Sequence, residues 1–115
     1  MSSRDKVMHA LCLEENARVP VFEPYGVHAP CADFVLGRPC IATHELRKAR
    51  LHSAGEIKKL RRAIVKDWFE LVKKLKFDAG PIVLLPRKED SRPKMIGERS
   101  WVIEDSVFQM EVGGI

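Results

Sequence analysis

Three short pairs of histidine and cysteine, His9-x-x-Cys12, His28-x-x-Cys31 and Cys40-x-x-x-His44, come nearest to chemistry in this 115-residue chain. A structural zinc needs four Cys or His ligands in a tetrahedron, and small zinc folds supply them as two such pairs brought together. Here the pairs are unevenly separated, no CxxC occurs, and Cys12 falls on the apolar side of an expected first helix with Val7, Met8 and Leu11. A buried thiol acting as a small hydrophobe accounts for each cysteine more simply. A Cys/His nucleophilic pair would need a lowered thiol pKa and a base within hydrogen-bond reach, and a sequence displays neither. No Gly-rich phosphate loop, HExxH, GxSxG or paired-carboxylate arrangement is present. The expectation is a non-catalytic protein with neither metal nor cofactor.

The stronger signal is charge. The formal net charge of +4 is unevenly divided. Residues 1–42 carry four basic and five acidic side chains, residues 43–77 eleven basic and four acidic, and residues 78–115 five basic and seven acidic. The middle third therefore holds a net +7 between two faintly acidic segments. Charge concentrated in this way makes a local positive potential that the whole-chain balance understates.

The element that positions this charge is a long helix. Ser53 followed by Glu56 reads as a capping box. Ile57, Leu60, Ile64, Trp68, Leu71 and Leu75 then recur at spacings of three and four, and Gly80-Pro81 supplies a stop. The helix is expected from about Ala54 to Phe77, roughly 36 Å long. At about 100° per residue, Lys58, Lys59, Arg62, Lys66, Lys73 and Lys76 fall in one arc beside the apolar set, with Lys59, Lys66 and Lys73 aligned along the axis. Arg61 projects toward Trp68. Ahead of it, Thr43 is placed to cap a shorter helix from about His44 to His52, with Arg47, Lys48 and Arg50 exposed. The turn His52-Ser53-Ala54-Gly55 makes the pair an αα-hairpin or a helix-turn-helix. A solvated, solubilising face is the alternative to a phosphate-binding one.

Residues 17–42 contain Pro20, Pro24, Pro30 and Pro39 together with Val19, Phe22, Tyr25, Phe34 and Ile41. The prolines predict an extended arm without a helix, with short strands at most at Val19–Phe22 and Phe34–Leu36. The apolar content predicts that the arm lies on a surface, either its own core or a partner contacted through Phe22, Tyr25 and Phe34. In the last third, Ile82–Leu85 and Trp101–Ile103 read as antiparallel strands and Phe108–Val112 as a third. Arg87–Lys94 reads as a polar loop. Trp68 and Trp101 are expected under the long helix.

The length suits one domain, 1–115. Its parts are the arm (17–42), the basic helical unit (43–77) and a β-hairpin or meander (78–115). The fold class is α+β: an N-terminal helix, a Pro-rich arm, and one long amphipathic basic helix packed on a small antiparallel meander, with a winged-helix arrangement as a variant. No run is long and apolar enough to cross a bilayer, and the start has no signal-like apolar core, while Asp5, Glu14 and Glu15 oppose a mitochondrial presequence. With three cysteines, which cannot all pair within one chain, this makes the expected setting intracellular, cytoplasmic or nuclear. Two functions compete. The first is a small protein binding RNA or DNA through phosphate contacts from Arg47, Lys48, Arg50, Lys58, Lys59, Arg62, Lys66, Lys73 and Lys76, a surface that would equally suit an acidic protein. The second is an adaptor or subunit of a larger protein or ribonucleoprotein complex docking through the arm.

Overall fold

The computed structural model describes residues 2–14, 19–22, 27–81 and 83–110. Among them, helices α1 (Ser3–Leu11), α2 (Ala29–Leu36), α3 (Glu45–Ser53) and α4 (Ile57–Lys74) precede strands β1 (Lys94–Met95), β2 (Ser100–Ile103) and β3 (Ser106–Gln109). The strands form one antiparallel sheet in the order β1-β2-β3. The fold is α+β.

The arm is where sequence and structure part most clearly. Residues 29–36 are helical, so the extended path and the strand at Phe34–Leu36 are both corrected. The prolines bracket this helix instead of excluding it. Pro30 sits in the first turn, where its missing N–H has no helical partner to lose. Gly37, with φ of 68°, closes the C-terminus by donating to the Asp33 carbonyl, and Pro39 follows. Val19–Phe22 forms no strand. Tyr25 lies outside the described residues.

The helix boundaries also shift. Ser53 ends α3 and does not cap α4, because Gly55 takes a φ of 79° and returns its N–H to the His52 carbonyl. Glu56 becomes the N-cap of α4 with no side-chain cap bond, so the expected capping box is absent. At the other end Lys76 takes the left-handed conformation, φ 55°, and Phe77 N–H donates to the Val72 carbonyl, stopping the helix before Gly80-Pro81. His44, not Thr43, caps α3: its Nδ1 accepts from the Arg47 N–H at 3.3 Å.

On one side β2 pairs with Lys94–Met95, at the end of the expected polar loop, and not with Val83–Leu85; Ile82, the start of the expected strand, lies outside the described residues. Val83, Leu84 and Leu85 are in no strand, and Leu85 packs as a side chain on the helical core. The third strand begins earlier than expected, at Ser106, paired through a two-residue loop with Ile103 opposite Ser106.

Two small cores result. One joins Ala32 and Leu36 of α2, Cys40 and Ala42 of the following loop, and Leu60, Ile64 and Leu71 of α4. The other joins Leu46 and Ala49 of α3 to Trp101 and Met110. The sheet therefore rests on α3, whereas the apolar face of α4 is covered by α2 and α3. This corrects the expected packing of the long helix on the meander. Trp101 is accordingly buried beside α3 and stacks on Phe108 at 5.8 Å, while Trp68 is half-buried against the α2–α4 core.

Candidate nucleic-acid interface

The face that α4 shows to solvent is decided by what its other face binds. Asp67 lies in the core, 1% exposed, and its Oδ2 accepts from the N–H groups of Ile41 (2.6 Å) and Ala42 (3.1 Å). Arg38 closes the site from outside, with Nη1 2.6 Å from Asp67 Oδ1 and Nη2 2.9 Å from Glu70 Oε2. A buried charge is tolerable only when paired and hydrogen-bonded, and here both conditions hold. A parallel device lies across the loop. Asp33 accepts from the Cys40 N–H at 2.7 Å and pairs with both terminal nitrogens of Arg47 at 2.7 and 2.9 Å. The Arg47 guanidinium holds the Asp33 carboxyl below its usual range. Together the two aspartates fasten residues 38–42 between α2, α3 and α4, with Leu60, Ile64, Asp67 and Leu71 turned inward.

The opposite arc of α4 is exposed and basic. Lys58, Arg62, Lys66 and Lys73, with Lys76 just beyond the helix, are exposed and form no ion pair among the described residues. Lys59 lies 3.7 Å from Glu56 on the same face, an exposed pair of small energetic consequence. These six expected positions are thus brought together along one helix face. The three on α3 are not part of it. Arg47 is half-buried in its aspartate pair and also donates to the Cys40 carbonyl at 3.0 Å; Lys48 pairs with Glu45 at 2.6 Å; Arg50 donates to the Glu98 carbonyl at 2.8 Å. Arg50 is exposed as expected, whereas Arg47 and Lys48 are half-buried, and each of the three has an acceptor in the structure.

Phe69 was not among the expected residues, yet it is 75% exposed in the middle of the basic arc, one turn from Lys66 and from Lys73. Its signal in the sequence was its wheel position, on the far side from Leu60, Ile64 and Leu71. At the C-terminal end of α4, Asp78 ties on two further segments. It accepts from Ser3 Oγ and from the Val21 N–H, both at 2.8 Å, and pairs with Lys6 at 2.6 Å. Lys6, the Val21 N–H and the Ser3 hydroxyl hold the Asp78 carboxyl down at about 2.

The histidines and cysteines are dispersed. Among the described residues no group of three or more His, Cys, Asp or Glu side chains is placed to hold a metal ion. Cys12 and Cys31 are exposed, which corrects the buried role expected of them. Cys40 is buried, and burial pushes its thiol pKa up, the opposite of an activated thiolate. Of the expected arm contacts, Phe22 and Phe34 are exposed, Phe34 to 88%. Most of the segment around Phe34 is not free: Val27, Ala32, Val35, Leu36, Cys40, Ile41 and Ala42 belong to the α2–α4 core.

No helix among the described residues is long and apolar enough to cross a membrane. Compared with models of known protein families, with curated proteins and with solved structures, the chain matches none.

Proposed function

We propose that the protein is a small, non-catalytic nucleic-acid-binding protein whose contact surface is the outer face of α4. The reading rests on one observation: Lys58, Arg62, Lys66, Lys73 and Lys76 share an exposed face and lack anionic partners among the described residues, whereas Arg47 and Lys48 of α3 are paired with Asp33 and Glu45. Lysines and arginines spaced along a helix neutralise phosphates and release counterions, which gives affinity without base readout. Five such contacts correspond to a slope of about −3 to −4 in log affinity against log salt for a single strand.

Fluorescence anisotropy with mixed-sequence RNA and DNA at several salt concentrations tests this. The double variant Arg62→Glu/Lys66→Glu is expected to weaken binding and flatten the slope by about 1 to 2. Both side chains are exposed and unpaired among the described residues, so the fold is expected to survive the change. Binding that is absent, or indifferent to salt, sinks the proposal.

The second reading, an adaptor docking through residues 17–42, is supported by the exposure of Phe22 and Phe34. Phe34 projects from the folded helix α2, and Phe22 lies in residues 19–22, which carry no regular structure. Limited proteolysis separates the two forms: cleavage near Gly37 in the isolated protein belongs to a free arm, whereas resistance there fits a segment held by Asp33 and Asp67.

A further inference from the structure

Beside Phe69 the C-terminal half of α4 and the start of α1 enclose an open groove of about 620 Å³, within the range of about 300–1,000 Å³ usual for small-ligand clefts. Phe69, Val72 and Phe77 give it apolar surface, and Lys73 and Lys76 stand in its wall. Two acids also line it, and both are held in ion pairs: Asp78 with Lys6 at 2.6 Å, and Glu70 at 2.9 Å from Arg38, a guanidinium it shares with Asp67. With Arg38 and Asp67 counted the site is net +1, and Lys73 and Lys76 are its cations outside any ion pair among the described residues. A groove with a flat, exposed aromatic ring and two cations lacking anionic partners among the described residues complements a ligand that is itself a flat ring joined to an anion.

We propose that this groove holds one unpaired nucleotide of a single strand, its base stacked on Phe69 and its phosphate on Lys73 and Lys76. The inference rests on the phosphate-binding reading of α4 and deepens it, because phosphate contacts alone do not distinguish single strands from duplexes. An aromatic ring among cations does: a base inside a duplex offers no free face, whereas an unpaired base stacks on the ring whatever its sequence. The same helix face continues from the groove through Lys66 and Arg62, so the neighbouring phosphates have cations to meet. Lys76 occupies a left-handed position, φ 55°, that favours glycine, and the chain nevertheless places a long cation there.

The test compares a short oligouridine single strand with a mixed-sequence duplex of equal length, using the wild-type chain, Phe69→Ala and Phe69→Trp. The wild type is expected to bind the single strand more tightly. Phe69→Ala is expected to lose about 5- to 100-fold in single-strand affinity, with duplex affinity and the salt slope unchanged. Phe69→Trp is expected to restore binding, with its added emission quenched by the single strand and not by inorganic phosphate. An unchanged single-strand affinity in Phe69→Ala, or an equal loss for both probes, overturns the stacked-nucleotide site and leaves the phosphate reading standing. Displacement of the single strand by an acidic peptide at lower concentration overturns the site in favour of a protein ligand. Absence of salt-sensitive binding to either probe overturns both proposals. Phe69 is mostly exposed, and circular dichroism of the variants verifies that the fold is intact.

Discussion

At Asp67 a carboxylate sits in the core with two backbone N–H groups on one oxygen and Arg38 against the other. Removing it strands the Ile41 and Ala42 donors, and Asp67→Ala is expected to cost about 2–4 kcal/mol in urea denaturation. Asp67→Asn, which keeps a carbonyl acceptor, is expected to cost less. Asp78 makes a complementary prediction in acid. Its pKa is depressed to about 2, so its contribution is complete above the unfolded value, about 4, and is lost as the pH falls through the folded value. Between roughly pH 4 and 2, the hydrogen bonds that hold Ser3 and Val21 to Asp78 are expected to weaken, visible as a falling protection of the Val21 amide relative to its intrinsic exchange rate at each pH. In Asp78→Ala, which has no acceptor, that protection is expected to be low and unchanged across the same window. His44 follows the same sign: burial lowers its pKa, and the neutral ring caps α3, so the cap is present at neutral pH and is lost as acid protonates Nδ1.

At the scale of elements, the basic face of α4 was legible because like charges recurred at spacings that only a helix aligns. The inward role of Asp67 was not, since it depends on Arg38 and on N–H groups 25 and 26 residues away. Phe69 is legible only by its wheel position, because an aromatic on the arc opposite the leucines does not interrupt the apolar period. The prolines of residues 29–36 and beyond do not exclude a helix, because Pro30 and Pro39 fall at positions a helix tolerates or ends upon. Strand β1, only two residues long, carries no alternation to read. The loop between β2 and β3 carries strain of its own. Glu104 has φ 54° at the first position of a two-residue turn, a place suited to glycine. Glu104 Oε1 also accepts from Ser91 Oγ at 2.6 Å. Glu104→Gly is expected to relieve the strain, while Glu104→Gly/Ser91→Ala, compared with Ser91→Ala by thermal denaturation, is expected to isolate the backbone gain of about 0.5–1 kcal/mol.

The whole molecule is extended for its length, with a radius of gyration of 16.8 Å against about 13 Å for a compact chain of this size. The described residues form two small cores in place of one, and each depends heavily on few side chains. Trp101→Ala is expected to remove about 3–5 kcal/mol from the α3–sheet core. The outer face of α4 takes no part in either core, so its charge serves no packing purpose. The most direct test of its role is a two-dimensional amide NMR titration of the intact protein with a short single-stranded RNA. Our account predicts shifts concentrated at Arg62, Lys66, Phe69, Lys73 and Lys76, growing weaker as salt is raised. Shifts centred on α3 and the sheet, or none along α4, would contradict it.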